Sequence, residues 1–263
     1  SHWHKHRKII TPTFHFNILE KFVEVFNEKG KVLIKRLKEK ANQETFDVYP
    51  YINIYAFDAI IETAMGLKWN AQEDAESDYV RAIYQITNIV HKRSFSVLHR
   101  SPITFPLTSL GKQQKEVLRV LHEYCDKVIQ QRKEELSKIP AVSQESISDD
   151  IGRKRRLAFL DLLCMQRDSS ELSDQDIREE VNTFLFAGHD TTSSGMAFSL
   201  YYLANYPDVQ QKVYEEIMEV LEDPDKDLTL QDLNKFKYLD QVVKEILRLA
   251  PPVPFYWKQT FRI

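Results

Sequence analysis

One apolar pattern, over residues 173–205, constrains the fold of this chain more than any other feature. Apolar residues recur along it at the three-to-four spacing of a helix face, and Pro207 ends it. Ser173 is suited to cap the first turn, while Asp174 and Asp176 lie where the helix dipole favours acids. The pattern therefore predicts a single helix of roughly 50 Å, at about 1.5 Å per residue.

The remaining sequence carries the same periodicity and has only six glycines in 263 residues. We predict further helices over residues 17–40, 47–65, 79–96, 111–137, 157–166, 208–221 and 238–250. A first helical segment should end where Thr11 precedes Pro12, and Gly66 should stop the helix before it. Short strands are possible only near residues 46–48 and after Pro254. The predicted fold is mainly α, with a long central helix and few short strands.

Composition excludes several classes of protein. The chain has 36 basic and 39 acidic residues, a net charge of -3, which gives no reason to expect a nucleic-acid partner. Cys125 and Cys164 form neither a disulfide framework nor a CxxC metal site, and both lie in helical stretches, where we predict packing roles. No apolar run of about 18 residues is present that would span a membrane. The chain begins SHWHKHRK and stops at TFRI, so we expect a fragment of a longer protein.

Small residues interrupt the long helix at its middle, in the stretch FLFAGHDTTSS. Ala187, Thr191 and Gly195 are spaced i, i+4, i+8 and share one stripe, with Gly188 and Thr192 beside it. A stripe of small side chains lets something bulky approach. Two occupants fit this pattern, another helix of the same chain or a flat cofactor.

Asp190 places an ionisable carboxylate at the edge of that stripe. Burying a carboxylate costs several kcal/mol unless it is paired or has a function. Asp190 could instead cap a second helix, although apolar periodicity continues on both sides of it. An acid beside an alcohol can relay protons to a ligand, so the residues favour a proton-handling notch facing a flat or bulky cofactor. His189 points away from the stripe and is interpreted as structural.

The stretch AGHDTT resembles the oxygen-binding segment of the long central helix in cytochromes P-450. Two further matches occur in the family order. Trp3 and Arg7, in HWHKHRK, are similar to the family's WxxxR pair, and Glu245 and Arg248, in KEILRLAPPVPF, are similar to its ExxR helix. The stretches FHFNILEKFVEVFNEKG, AFDAIIETAMG and REEVNTFLFAGHDTTSSGMAF look most like family 4, the fatty-acid hydroxylase group, and its insect branch.

The resemblance implies a role for each matched residue. Thr191 would hydrogen-bond dioxygen at the haem, and Asp190 would feed protons from solvent. Ala187 and Gly188 would leave room for dioxygen beside the haem. Trp3 and Arg7 would contact a haem propionate, and Glu245 and Arg248 would hold the haem-side core. Phe184, Val253 and Phe255 would line either a substrate channel or the core.

The sequence also departs from the family pattern. Many family 4 members carry Glu immediately before the glycine of this segment, where this chain has Ala187, so a covalent ester to the haem is not expected. The family's axial ligand is the Cys of FxxGxRxCxG, and no such stretch exists in residues 1–263. We therefore expect a single partial domain over 1–263 that lacks the N-terminal anchor, the Cys-ligand loop and any metal ligand of its own.

The resemblance implies that the parent protein is a haem-thiolate monooxygenase. It also implies that this fragment alone is inactive. The parent protein would contain haem b and receive electrons from NADPH through a flavoprotein reductase, with cytochrome b5 as a further partner. It would oxidise an apolar substrate such as a fatty acid at the cytosolic face of the endoplasmic reticulum membrane. Two alternatives stay open, a non-catalytic α-helical scaffold without haem and a metal protein that uses His4 and His6.

Overall fold

The structure, a computed structural model, describes residues 2–11, 22–41, 44–68, 70–72, 78–96, 99, 101–138, 159–168, 172–223 and 226–254. The helices within these residues are α1 (His2–Ile10), α2 (Phe22–Lys40), α3 (Tyr49–Ile60), α4 (Asp78–Phe95), α5 (Ser109–Ser137), α6 (Phe159–Asp168), α7 (Asp174–Asn205), α8 (Pro207–Leu221), α9 (Leu230–Leu233) and α10 (Lys237–Leu249). A π-helical turn, Ile61–Met65, continues α3, and a 3₁₀ turn, Phe105–Leu107, precedes α5. The prediction of a mainly α fold is confirmed.

The long central helix forms as its periodicity predicts. Helix α7 runs without a break through Asp190, so the alternative of a second helix capped by this residue is wrong. Ser173 caps its first turn, because the Ser173 hydroxyl oxygen accepts the Asp176 N–H at 3.1 Å and the Asp176 carboxylate accepts the Ser173 N–H at 2.8 Å. This reciprocal pair satisfies two N–H groups that the helix itself leaves unbonded.

Two short elements differ from the sequence predictions, and a third agrees with them. Residues 46–48 form no strand, since in the described part of the chain no segment pairs with them, and the Asp47 carboxylate accepts the Tyr49 N–H at 2.9 Å to start α3. Helix α9 was not predicted, although Thr229 and Asp232 form a capping box around it. Gly66 ends the π-helical turn with a φ of 70°, which confirms its predicted role as a stop. The predictions for residues 17–21, 157–158 and 255 onward lie outside the described residues.

The chain groups into two compact units, and the first comprises Ser1–Ile18 and Ile60–Phe186. In this unit α5 packs against α4 and α6, and α1 packs against α6. A buried ion pair joins two of these helices, since the Arg132 Nε and Nη2 atoms donate to the two carboxylate oxygens of Asp161 at 2.5 and 2.9 Å. Arg132 also donates to the Gly66 carbonyl oxygen at 3.0 Å. The same side chain therefore fixes the helix end and the α5–α6 contact.

The second unit comprises Leu19–Ala59 and Ala187–Ile263. Here α8 packs against α10, and the Glu216 carboxylate accepts the N–H groups of Lys237, Tyr238 and Leu239 at 2.7–2.9 Å. Glu216 thus caps the start of α10 from a neighbouring helix.

In the part of the chain that the structure describes, no helix combines the length and apolar character needed to cross a bilayer. The single partial domain over 1–263 stays a prediction.

Candidate active site

The acid–alcohol segment occupies one turn of α7. Ala187 is exposed, Gly188 and Thr191 are half-buried, and the Thr191 hydroxyl donates to the Ala187 carbonyl oxygen at 2.8 Å. This bond uses the only hydroxyl proton of Thr191 and leaves its oxygen as an acceptor. The small side chains therefore form an accessible patch on the helix, with an alcohol at its edge.

Asp190 has an unusual environment for an acid in a helix. Its side chain is half-buried, and none of the described lysines or arginines forms an ion pair with it. Its carboxylate Oδ1 accepts a hydrogen bond from the Tyr49 hydroxyl of α3 at 3.2 Å. An acid that is partly removed from water without a cation partner carries a cost, which favours a functional rather than a purely stabilising role.

A polar cluster surrounds that contact, and we name it the Tyr49 cluster after its first member, Tyr49, with Asn53, Asp190 and Ser193. The Asn53 side-chain amide donates to the Ser193 hydroxyl at 3.1 Å and lies 3.5 Å from the Tyr49 hydroxyl. The Ser193 hydroxyl donates to the Asp190 carbonyl oxygen at 3.0 Å. Sequence reasoning missed Tyr49, Asn53 and Ser193, because their partners lie about 140 residues away along the chain.

The small-residue stripe has different neighbours at its two ends. At Gly195, a methyl group in place of the hydrogen would lie 3.6 Å from Leu247 of α10 and 3.7 Å from Pro252, which is ordinary contact distance. At Ala187 the side chain is exposed. Helix packing, one of the two readings left open by the sequence, therefore describes the Gly195 end, and the Ala187 end is open to a ligand.

His189 lies on another side of the same helix. Its side chain is buried, and its ring meets the Phe57 ring edge-on with 5.6 Å between centroids. This packing agrees with the structural role predicted for it. Phe184 likewise packs on Phe159, at 4.1 Å between ring centroids, as a core residue would. Val253 is exposed, and Phe255 lies outside the described residues.

Trp3 and Arg7 lie together on α1, as their i, i+4 spacing predicts. The Trp3 ring is 61% exposed, and the Arg7 guanidinium lies 5.6 Å from its centroid. In the described part of the chain no carboxylate pairs with Arg7. The two side chains border an open cleft of about 680 Å³ that Thr183 and Phe184 of α7 also line. A planar aromatic surface and an unpaired guanidinium fork suit a flat ligand that carries a carboxylate.

His6, one of the histidines considered for a metal, has carboxylate partners instead. It is buried on α1, with Nδ1 2.7 Å from Glu180 Oε1 and Nε2 3.7 Å from Asp176 Oδ1. His4 is exposed and stacks on Trp3 at 5.2 Å. Among the described residues no group of three or more His, Cys, Asp or Glu side chains is arranged to hold a metal ion.

Glu245 and Arg248 form a two-pronged ion pair on α10. Arg248 Nε and Nη2 donate to the two Glu245 oxygens, each at 2.7 Å, which lowers the pKa of the Glu245 carboxyl. Both side chains are more than half exposed, at 56% and 67%. Within the described residues this pair has the geometry of a surface ion pair, and its proposed contacts to downstream backbone stay a prediction.

Neither cysteine is placed to bind a metal. Cys125 is fully buried on α5, and its thiol donates to the Asn182 side-chain oxygen at 2.8 Å. Burial, with the nearby Asp126 carboxylate, raises the pKa of the Cys125 thiol to about 12. Cys164 is buried on α6. The predicted packing roles of both residues agree with these environments.

The site residues fall into three local groups in the structure. The Ala187–Thr191 turn lies with Tyr49 in the second unit, the Glu245–Arg248 pair lies on α10 of the same unit, and the Trp3–Arg7 pair belongs to the first unit. Inside the second unit, none of the hydrogen bonds between described residues joins Asp190 to Glu245 or Arg248.

Comparison with known proteins identifies the family. The family model described as Cytochrome P-450 matches residues 1–261. The protein named Probable cytochrome P-450 4s3, from Drosophila melanogaster, is 48% identical over 97% of this chain and 50% of its own length. Cytochrome P-450 4d1 from the same organism is 46% identical over 96% of this chain and 50% of its own length.

A relative from another insect gives the same result. Cytochrome P-450 4c21 from Blattella germanica is 42% identical over 98% of this chain and 51% of its own length. These names and organisms agree with the resemblance to family 4 and to its insect branch. The chain spans about half the length of the curated relatives it matches. The family match covers nearly the whole chain, and the chain belongs to the cytochromes P-450.

Proposed function

We propose that the complete protein is a haem-thiolate monooxygenase that inserts one oxygen atom from O₂ into an apolar substrate. The observation that carries the proposal is the Asp190–Thr191 pair on the accessible turn of α7. It places an acid that has no cation partner among the described residues beside an alcohol. Family membership supplies the reaction class. The overall reaction converts a C–H bond, O₂, two electrons and two protons into C–OH and water.

The residues present fit a haem. Arg7 offers a guanidinium fork that no described carboxylate occupies, which suits a propionate, and the exposed Trp3 ring beside it offers an apolar face. Ala187 and Gly188 add little bulk on the accessible side of α7, and so leave space against a flat ring. Trp3, Arg7, Ala187, Gly188 and Thr191 are the residues we propose to hold it.

The haem, when bound, would supply the reductive activation of O₂, and the protein would supply position and protons. Thr191 can accept a hydrogen bond at its hydroxyl oxygen while its proton stays on the Ala187 carbonyl oxygen. Such an acceptor would hold a water molecule in place beside the haem. Asp190 can take a proton from solvent and pass it to a neighbour, since its carboxylate has a hydrogen bond but no ion pair with any residue that the structure describes.

The thiolate ligand has to come from outside residues 1–263 of the complete protein. A ligating cysteine must be deprotonated, and the buried Cys125 thiol, with its raised pKa, resists that. Cys164 is buried within α6. We therefore propose that the 263-residue chain alone has no monooxygenase activity.

The remaining parts of the proposal follow from family 4 resemblance. The substrate is a fatty acid or a similar apolar chain, and electrons come from NADPH through a flavoprotein reductase, with cytochrome b5 as a second donor. The basic residues Lys5, Arg7 and Lys8 of α1 support an acidic electron donor, because complementary charge steers such encounters. The protein would lie at the cytosolic face of the endoplasmic reticulum, held by a membrane anchor outside this sequence.

Haem uptake by the complete protein tests the proposal. The expected result is a thiolate-type difference spectrum with carbon monoxide, and NADPH-dependent oxidation of a fatty acid when the reductase is added. The 263-residue chain is the control and should give neither. A complete protein that folds but takes up no haem would overturn the proposal and favour the non-catalytic helical scaffold.

A further inference from the structure

The Tyr49 cluster fixes Asp190 at two points. The Tyr49 hydroxyl donates to the Asp190 carboxylate at 3.2 Å, and the Ser193 hydroxyl donates to the Asp190 carbonyl oxygen at 3.0 Å. The side-chain amide nitrogen of Asn53 lies between these two donors, 3.1 Å from the Ser193 hydroxyl oxygen and 3.5 Å from the Tyr49 hydroxyl oxygen. One face of α3 therefore holds one turn of α7 through these hydrogen bonds, beside the ring contact between Phe57 and His189.

Local sequence places Tyr49 for this contact. The Asp47 carboxylate accepts the Tyr49 N–H at 2.9 Å and so fixes where α3 begins. Pro50 follows in the first turn, where its missing N–H costs no helical hydrogen bond. Asn53 lies one turn later, at i+4, and so shares the face of Tyr49. The hydroxyl of Tyr49 thus extends from a fixed helix start.

Burial favours a single hydrogen-bond arrangement within the Tyr49 cluster. The exposed fractions of Asn53 and Ser193 are 3% and 0%, so their polar atoms depend on each other for hydrogen bonds. Asp190 has no cation partner in the described residues, and the Tyr49 hydroxyl is a donor to its carboxylate. Loss of this donor would free the Asp190 side chain to adopt other rotamers.

We infer that Tyr49 is a positioning residue for the proton relay, whose hydroxyl holds the Asp190 carboxylate in the rotamer that serves Thr191. The inference rests on the proposed function and adds to it a residue of α3, in a different helix from the acid–alcohol pair. Tyr49 acts through Asp190 and touches no reacting atom. Protons reach the reacting group more slowly when the acid is not held, so electrons are diverted to hydrogen peroxide.

Tyr49→Phe in the complete, haem-loaded protein tests this, because it removes one hydroxyl and keeps the ring. We expect the yield of product per NADPH to fall about fivefold, as loss of one hydrogen bond predicts, with hydrogen peroxide rising in proportion. Tyr51→Phe is the matched control. Tyr51 lies on the same helix, but its ring contacts Arg36 and Phe46, and no hydrogen bond depends on its hydroxyl in the described residues.

Thermal unfolding supplies a readout that does not depend on turnover. In a cycle of Tyr49→Phe, Asp190→Ala and the double variant, the drop in midpoint caused by Tyr49→Phe should shrink when Asp190 is already absent. Additive drops would overturn the contact itself. Unchanged coupling of NADPH to product in Tyr49→Phe, with an active wild type, would overturn the positioning role and leave the monooxygenase proposal standing.

A third result separates the inference from the function on which it rests. A wild-type protein that binds haem but consumes no NADPH would reject the monooxygenase proposal, and the positioning role would fall with it. In that case a non-additive thermal cycle would assign the Tyr49–Asp190 contact to stability alone. Each result therefore supports or rejects the positioning role of Tyr49.

Discussion

The hydroxyl of Thr191 donates a 2.8 Å hydrogen bond to the carbonyl oxygen of Ala187, one turn earlier in α7. A threonine bonded in this way has a fixed side chain, and its hydroxyl oxygen remains free to accept hydrogen bonds. The alcohol of the acid–alcohol pair is thus held by its own helix, while Tyr49 holds the acid from a neighbouring helix. The two members depend on different contacts and can be removed separately.

Thr191→Ala should uncouple electron use from product in the complete enzyme. The variant removes the acceptor oxygen, so the yield of product per NADPH should fall roughly tenfold and hydrogen peroxide should be released. Thr192→Ala, at the exposed next position of the helix, is the matched control and should change neither quantity. Equal yields from wild type and Thr191→Ala would remove Thr191 from the relay.

The buried Arg132–Asp161 pair makes a stability prediction. Arg132→Met removes the guanidinium that pairs with the buried Asp161 carboxylate, which should lower the free energy of unfolding by about 3–5 kcal/mol. The double variant with Asp161→Leu should recover much of the loss, because the buried carboxylate is then removed as well. Denaturant titration of the three proteins measures both values.

An exposed arginine on the same helix is the control for that experiment. Arg119 of α5 pairs with Glu116 and Glu123, and all three side chains are more than half exposed. Exposed pairs of this kind contribute little to stability, so Arg119→Met should leave the unfolding free energy almost unchanged. A large loss from Arg119→Met, or none from Arg132→Met, would contradict the explanation from burial.

Contacts that are local in sequence were predictable, and contacts between distant segments were not. The extents of α7 and α10 follow from apolar spacing and from the prolines that come directly after them. The Trp3–Arg7 and Glu245–Arg248 contacts follow from the i, i+4 and i, i+3 geometry of a helix. No such rule connects Tyr49 to Asp190, because 141 residues separate them and only packing brings them together.

One prediction failed because of a competing interaction. Residues 46–48 have the composition of a strand, but the Asp47 carboxylate accepts the Tyr49 N–H and starts a helix instead. For the alternative of a metal site at His4 and His6, which the sequence left open, the structure places the His6 ring nitrogens against the carboxylates of Asp176 and Glu180. The local pattern does not show the second of these partners, because 174 residues separate Glu180 from His6.

The two cysteines should resist alkylation in the folded protein. Burial raises the pKa of the Cys125 thiol to about 12, so the reactive thiolate is scarce at pH 8. Cys164 is also buried. Treatment with iodoacetamide at pH 8, followed by mass spectrometry of the peptides, should find both residues unmodified. The denatured protein is the control and should be modified at both, and rapid modification of folded Cys125 would contradict its burial.

Glu216 makes the start of α10 sensitive to acid. Partial burial would raise the pKa of its carboxyl, but hydrogen bonds from the N–H groups of Leu239, Tyr238 and Lys237 outweigh this and lower it below 4.5. A depressed pKa stabilises the fold above the unfolded value of about 4.5, and this stabilisation is lost as the pH falls through the folded value.

Glu216→Gln should therefore lower the thermal midpoint by a few degrees at pH 7, because the charged acceptor at the first turn of α10 is lost. The difference from wild type should shrink as the pH falls from 4.5 through the lower pKa of the folded Glu216 carboxyl, because the wild-type carboxylate then becomes protonated. Glu219→Gln, on the same helix and exposed, is the control and should show no such pH dependence. A midpoint difference that stays constant from pH 7 to pH 3 would show that the charge of Glu216 does not act on α10.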